Sequence, residues 1–183
     1  LSHSHGEHTT ANTKPVLSPW WPSFTLLWVC MQGAFGALTV TMKLYPIIVS
    51  LHLLGGMGLL VLLAVQAEWF RQHQMPGLGP AEAITGLQTT LIALAILVFM
   101  QVSLGAWVST NYAVLACTDF PTCHGQWWPS MNFAEGFAPL RELGMNDSGG
   151  VLSLQALTAI HYAHRLMAYV LLLALFGVAV LLW

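Results

Sequence analysis

Two cysteines and three histidines are the residues of this chain whose type and spacing could support chemistry. Cys117 and Cys123 close a short segment, and His52, His161 and His164 lie inside strongly apolar stretches. An imidazole is costly in hydrocarbon unless it holds a metal, a cofactor or another polar group. The sequence therefore contains two kinds of candidate site, a cysteine loop and a set of histidines within the membrane.

The cysteine segment is compatible with three kinds of chemistry. Cys117 and Cys123 could form a structural disulfide, which is the commonest case, or a redox-active pair that passes electrons. They could also bind zinc together with His124, although the sequence offers no fourth ligand at a suitable spacing. These alternatives stay open on the residues alone.

His52 is a candidate ligand for haem iron. Gly55 and Gly56 follow it by three and four positions, so they share its helical face and should leave that face bare. A flat macrocycle could approach there, and a neutral imidazole is a common axial ligand of haem. The alternative is that His52 simply hydrogen-bonds a neighbouring helix.

A second candidate site lies on one face of the last helix. His161, His164, Arg165 and Ala168 are spaced by three, four and seven positions from the first residue, so they share this face. One histidine could ligate iron while Arg165 pairs with a propionate carboxylate; the alternative is that Arg165 extends to the membrane interface. We choose His164 as ligand because it precedes Arg165 and has Ala168 one turn below as clearance. His161 is then a supporting polar group or a polar group on the substrate side.

The elements that carry these residues are predicted to be membrane helices. The chain is 56% hydrophobic and 7% charged with a mean hydropathy of +0.68, whereas a soluble domain has about a quarter charged residues. Four apolar stretches reach the ~20 residues that span a bilayer, at about 23–44, 46–70, 84–109 and 154–183. We therefore predict an all-α, polytopic membrane helical bundle surrounded by lipid. We expect residues 1–20 to form a polar cytoplasmic tail or loop, residues 21–183 the transmembrane domain, and residues 110–153 a long extracytoplasmic loop within it.

Charge and cysteine chemistry bear on partners and location. A net charge of −2 with five basic residues argues against nucleic acid as a partner. The basic residues are too evenly divided to orient the helices, but a disulfide between Cys117 and Cys123 would persist only in an oxidising compartment. The long loop is therefore expected outside the bacterial inner membrane. Since the chain starts with leucine and stops within an apolar run, we expect it to be part of a longer protein.

The sequence also contains an internal repeat. Residues 32–41 (QGAFGALTVT) align with residues 101–110 (QVSLGAWVST), with matches at Gln, Gly, Ala and Thr. Each copy ends an ascending helix and is followed by a descending helix with a histidine. The recurrence of small residues at helix contacts would explain the glycines, but it would not explain the glutamines. Duplicated helical hairpins with two related sites are the favoured interpretation.

Taken together, these segments resemble haem A synthase, a family of cytochrome oxidase assembly proteins. The resemblance rests on residues 32–40, 49–53, 104–108, 116–126 and 160–165, which include the cysteine loop and the His164-Arg165 pair. It implies eight membrane helices in two similar halves, of which this chain would supply helices three to six. It also implies oxidation of a methyl group of haem O to a formyl group, giving haem A for cytochrome oxidase assembly.

The resemblance assigns roles to individual residues. It implies that His52 ligates the haem of the substrate half and His164 the haem b of the other half, whereas a complete four-helix chain would suggest one haem between them. It makes Cys117 and Cys123 a disulfide pair. It assigns no catalytic residue within this chain, so activity is expected only in the full-length protein. Candidate partners are haem O, haem O synthase and cytochrome oxidase assembly factors, and the electron acceptor stays open.

Two other classes of function compete with this expectation. A cytochrome b-like electron carrier would use two haems without altering the porphyrin. A membrane thiol-disulfide oxidoreductase would use the cysteine pair, and its histidines would serve packing alone. Haem O or haem A extracted together with haem b would distinguish haem A synthase from the electron carrier. A colourless protein would indicate the thiol-disulfide oxidoreductase.

Overall fold

The residues that the structure describes form four long helices, with a tight turn between the first two and a structured loop before the last. The computed structural model describes residues 18–74, 85–146 and 148–183. Its helices are α1 (Trp20–Thr41), α2 (Pro46–Gln74), α3 (Thr85–Thr110), a 3-10 helix (Ala113–Leu115), α4 (Phe133–Gly136) and α5 (Leu154–Leu182). By length and composition α1, α2, α3 and α5 could each cross a membrane. The predicted all-α fold with four membrane helices is confirmed, whereas most of the predicted tail lies outside the described residues.

Local sequence explains where these helices start. α1 and α2 meet in a tight turn in which Lys43 and Leu44 have φ angles of 51° and 61°, and Pro46 then opens α2, where its fixed φ and missing N–H are tolerated. Ser153 caps α5, because its Oγ accepts a hydrogen bond from the Ala156 N–H at 3.1 Å. Hydrogen bonds between neighbouring helices show that α1 and α3 run opposite to α2 and α5.

The four membrane helices pack in chain order. α1 packs on α2, α2 on α3, and α3 on α5, and none of the other pairs of these helices is in contact within the described ranges. The helices therefore form an open row. The most extensive contacts are those of α1 with α2 and of α3 with α5. Large apolar side chains cover much of the exposed helix surface, which suits a chain surrounded by lipid or by further helices.

The most buried residues that the structure describes lie where the C-terminal end of α3 meets the N-terminal end of α5. Trp107, Val108, Ala113 and Ile160 pack together there. The long loop is held against this cluster, because the Trp107 indole N–H donates to the Gly136 carbonyl oxygen at 2.9 Å. The loop is thus an ordered cap on the membrane helices.

A buried arginine anchors the same loop. Arg141 is only 3% exposed; its Nη2 donates to Asn111 Oδ1 at 2.6 Å, and its guanidinium lies 5.7 Å from the Trp107 ring centre. Asn111 immediately follows α3, so this interaction joins the middle of the loop to the end of a membrane helix. The loop that carries the cysteines is therefore held to the end of α3 at its middle as well as at its start.

Candidate functional site

His52 on α2 lies against a glycine on α1. A Cβ atom at Gly36 would be 3.2 Å from the His52 Cε1 atom, so only a residue without a side chain leaves this ring its present position. The imidazole is half-buried, and its Nδ1 atom is buried with no hydrogen-bond partner among the described residues. A neutral imidazole with a free nitrogen is what iron ligation requires.

His164 on α5 makes the same contact with α3. A Cβ atom at Gly105 would lie 3.2 Å from His164 Cε1, the same separation as in the first pair. Gly36 and Gly105 are equivalent positions of the internal repeat, whose two copies end at Thr41 and Thr110, the last residues of α1 and α3. The repeat thus places each of two histidines against a glycine at the same separation, which supports the duplicated hairpins inferred from the sequence.

A glutamine accompanies each pair, one turn before the glycine. On α3 the Gln101 Nε2 atom lies 3.1 Å from Nδ1 and 3.3 Å from Nε2 of His164. On α1 the Gln32 amide fills the space over Gly55, where an added Cβ would overlap it. The expectation that Gly55 leaves the His52 face bare is therefore wrong, because Gln32 covers it; Gly56 does face open space.

His161 is in a different situation from His52 and His164. Its Nδ1 is 2.9 Å from the Ala113 carbonyl oxygen, which can only accept, and its Nε2 accepts a hydrogen bond from Arg165 Nε at 3.1 Å. These bonds define the tautomer with the proton on Nδ1. Both ring nitrogens are therefore already used within the protein, and His161 supports Arg165.

Arg165 reaches from α5 into the cysteine loop. Its Nη1 donates to the carbonyl oxygens of Asp119 and Thr122 at 2.8 and 3.0 Å, and its Nη2 donates to that of Cys117 at 3.0 Å. With the bond to His161, four of its five N–H groups donate inside the described chain. Arg165 was predicted to pair with a propionate, and that contact stays a prediction; organising the loop is a role that the sequence did not reveal.

The cysteine loop is closed by a disulfide between Cys117 and Cys123. Both residues are buried, at 4% and 0% exposure, and they pack with Tyr162 of α5. Neither sulfur is available as a thiolate for zinc, and no group of three or more metal-ligating side chains occurs in the described part of the chain. The zinc alternative is therefore wrong in this structure.

Asp119 organises the tip of the same loop. Its carboxylate accepts hydrogen bonds from Thr122 Oγ1 at 2.6 Å and from the backbone N–H groups of His124 and Gly125 at 2.8 and 2.9 Å. The hydroxyl of Thr122 first, and then the backbone donors, hold the pKa of the Asp119 carboxyl well below its usual range. The loop conformation thus depends on a charged Asp119.

The donor set fits haem at two of the three candidate histidines. His52 and His164 keep ring nitrogens that no carbonyl or guanidinium occupies, and each ring is set by a glycine of the neighbouring helix. His161 does not fit, because both of its nitrogens are bonded. Sequence reasoning found the histidines and the cysteines but missed the glycine contacts, although the repeated Gln-x-x-x-Gly pattern contained that signal.

Fold and site together define a polytopic helical membrane protein with two histidines that each contact a glycine of the neighbouring helix, and with a loop closed by a disulfide. Residues 8–183 match the family model described as cytochrome oxidase assembly protein, and the chain belongs to that family. It is 37% identical over 149 residues to the heme A synthase of Shewanella oneidensis, covering 81% of this chain and 44% of that protein.

A second relative supports the same family. The heme A synthase of Symbiobacterium thermophilum is 30% identical over 112 residues, which cover 58% of this chain and 37% of that protein. The chain thus spans less than half the length of these two relatives. No solved structure matches it.

Proposed function

We propose that the full-length protein containing these residues makes haem A, by oxidising a methyl group of haem O to a formyl group for cytochrome oxidase assembly. The family match over residues 8–183 carries the proposal, and the names of both relatives agree with it. The relevant membrane is the bacterial inner membrane, with the cysteine loop on its outer side, where a disulfide persists.

Within this function, His52 and His164 are the residues of this chain that would hold haem iron. The matching contacts with Gly36 and Gly105 support a pair of equivalent sites, one for the haem that is substrate and product and one for a resident haem b. When bound, haem iron supplies the oxidising chemistry. His52 and His164 would hold the iron, Gly36 and Gly105 position the two imidazole rings, and the apolar helices would surround the macrocycle.

His161, Arg165 and the disulfide loop serve the second site indirectly. Arg165 lies next to His164 and bonds both His161 and the backbone of the loop, so it links the outer cap to the ligand helix. Because both cysteines are buried, the disulfide is a staple of this cap. Burial also disfavours a thiol-disulfide oxidoreductase, since exchange requires a thiolate to reach a sulfur atom.

The test is to identify the haems of the purified full-length protein and of two histidine variants. We expect the parent to contain haem b together with haem O or haem A. His52→Ala should remove the haem O or haem A component, and His164→Ala should remove haem b. His73→Ala is the matched control, because His73 is an exposed histidine on α2 whose Nδ1 lies 2.8 Å from the Trp69 carbonyl oxygen.

Each outcome separates one class of function. If the parent contains haem b alone and the two variants each lose part of it, the protein is a cytochrome b-like electron carrier. A colourless parent would contradict any haem function and leave the cysteine pair as the chemical group. If His161→Ala, rather than His164→Ala, removes haem b, the assignment of the ligand on α5 is wrong.

A further inference from the structure

We infer that Gln101 is a positioning residue for His164, accepting a hydrogen bond from the ring nitrogen that does not face iron. The inference rests on the proposed function, because it concerns the state in which His164 is a ligand. It is carried by the closeness of the Gln101 amide to the ring and by an unpaired buried oxygen on the same amide.

The geometry leaves the amide within reach of either ring nitrogen. Gln101 Nε2 is 3.1 Å from Nδ1 and 3.3 Å from Nε2 of His164. The lone pairs of the two ring nitrogens diverge, so one N–H cannot align with both, and hydrogen bonds weaken steeply when misaligned. The Gln101 amide nitrogen therefore bonds one ring nitrogen at a time, and in this orientation the amide can only donate to the ring.

Ligation of iron would reverse the direction of this bond, because the ring would then offer an N–H in place of an acceptor. A histidine that binds metal through one nitrogen carries a proton on the other, and that N–H needs an acceptor. Gln101 Oε1 is buried and has no hydrogen-bond partner within the described residues. Rotation of the amide about its last side-chain bond places Oε1 where Nε2 now lies, and the N–H of the ligand then has its acceptor.

The first half of the repeat shows that this arrangement is particular to His164. Gln32, the counterpart of Gln101, extends over Gly55, which follows His52 by three residues. The residue that follows His164 by three is the larger Met167. Gln32 Oε1 and His52 Nδ1 are both buried and unpaired in the described chain. Only Gln101 already lies within hydrogen-bond distance of its histidine, so the test concerns Gln101 and uses the other haem as an internal reference.

The consequence is a change in the electronic properties of the ligand. An acceptor on the ring N–H makes imidazole a more basic ligand and favours the oxidised iron, so losing it should raise the midpoint potential. Gln101→Leu removes the acceptor, whereas Gln101→Glu keeps an oxygen at the same distance along the side chain. Gln66→Leu is the control, because Gln66 also joins two membrane helices, through a 2.6 Å bond to Thr25 Oγ1, but lies far along α2 from His52.

The experiment is a redox titration of the full-length holoprotein and these variants, with haem b content measured in parallel. We expect Gln101→Leu to raise the potential of the haem that His164→Ala removes and to weaken its binding by about 10-fold or more. Gln101→Glu should keep that haem at the parental potential or a lower one. Gln66→Leu and the other haem should not change.

The failure of the inference is distinguishable from failure of the function. A holoprotein in which Gln101→Leu leaves the potential and haem content unchanged contradicts the role of Gln101 and leaves the haem function standing. The inference is also wrong if Gln101→Glu shifts the potential as Gln101→Leu does, or loses the haem with it. A parent protein without haem contradicts the proposed function itself.

Discussion

Arg165 Nη2 donates a hydrogen bond to the carbonyl oxygen of Cys117 at 3.0 Å, so a membrane helix and the disulfide loop share a direct contact. Two further carbonyl oxygens of the same loop accept from Nη1. Because His164 precedes Arg165 in the chain, the loop and the candidate ligand are positioned by neighbouring residues. Disturbing this contact should therefore affect the cysteine loop first and the histidine second.

Replacing Arg165 by lysine tests the anchoring role. Arg165→Lys keeps the positive charge but not the planar set of donors that reaches three carbonyl oxygens. Hydrogen bonds to charged groups each contribute about 1.5–3 kcal/mol, so we expect the loop to open more readily. Hydrogen exchange of residues 117–126 in the full-length protein should accelerate by at least about 10-fold.

Two comparisons complete this test. Arg71→Lys is the matched control, because Arg71 pairs with Glu68 on an exposed face and its replacement should leave the loop unchanged. If Arg165→Lys leaves loop exchange at the parental rate while haem b binding weakens, the propionate role predicted from the sequence is the dominant one, and anchoring is secondary.

Removing the disulfide should destabilise the loop without abolishing turnover. A cross-link that closes a loop of this length contributes about 2 kcal/mol by restricting the unfolded chain. Replacing Cys117 and Cys123 together by serine in the full-length protein should therefore lower its thermal midpoint and keep haem A formation measurable. Complete loss of turnover in a double variant that still folds and binds both haems would show that the pair passes electrons.

The long helices follow from apolar composition, whereas the loop does not. Hydropathy predicted the four membrane helices within a few residues of their ends, because a bilayer imposes one length on every span. The 3-10 helix, α4 and the buried Arg141 could not be predicted, since they depend on contacts between residues far apart in sequence. Local patterns carry no information about such contacts.

The sequence likewise predicted which residues form the candidate site, but not the contacts that those residues make. A histidine within an apolar stretch is easily recognised in the sequence because it is polar. The side chains that surround it come from other helices and cannot be read from the same stretch. The choice of His164 over His161 rested on neighbouring residues, and the structure adds a stronger reason, since both nitrogens of His161 are bonded. Gly55 was misread because the residue that fills its space, Gln32, lies on another helix.

Acid should loosen the tip of the cysteine loop through Asp119. Its pKa is lowered in the folded protein, so the charged carboxylate stabilises the loop above the ordinary pKa of about 3.9, and this stability is lost as the pH falls from that value toward the folded pKa. Hydrogen exchange of residues 119–126, corrected for the intrinsic effect of pH, should show less protection below about pH 4. Asp119→Asn should lower protection at neutral pH and remove most of this dependence.

Glu135 is the control for the acid experiment. Its pKa is also lowered, chiefly by hydrogen bonds from the Ser153 side chain and backbone, but it lies in α4 and holds the start of α5. Glu135→Gln should therefore change exchange near residues 132–136 and leave residues 119–126 as in the parent. A loop whose protection is the same at pH 3 and pH 7 in the parent would contradict the role assigned to Asp119.

The two glycine contacts give the most selective prediction. An alanine at Gly36 or Gly105 would bring Cβ to 3.2 Å from the Cε1 atom of His52 or His164, so the ring must move by a few tenths of an ångström. Overpacking of this kind costs about 1–3 kcal/mol. Gly36→Ala should weaken binding of the haem that His52→Ala removes, and Gly105→Ala should weaken binding of the haem that His164→Ala removes.

Gly33→Ala is the control, because its Cβ meets open space and alanine favours a helix. Absorption spectra and extracted haem of the full-length variants measure each site, and equal loss of both haems in either variant would mean that the glycines serve general helix packing.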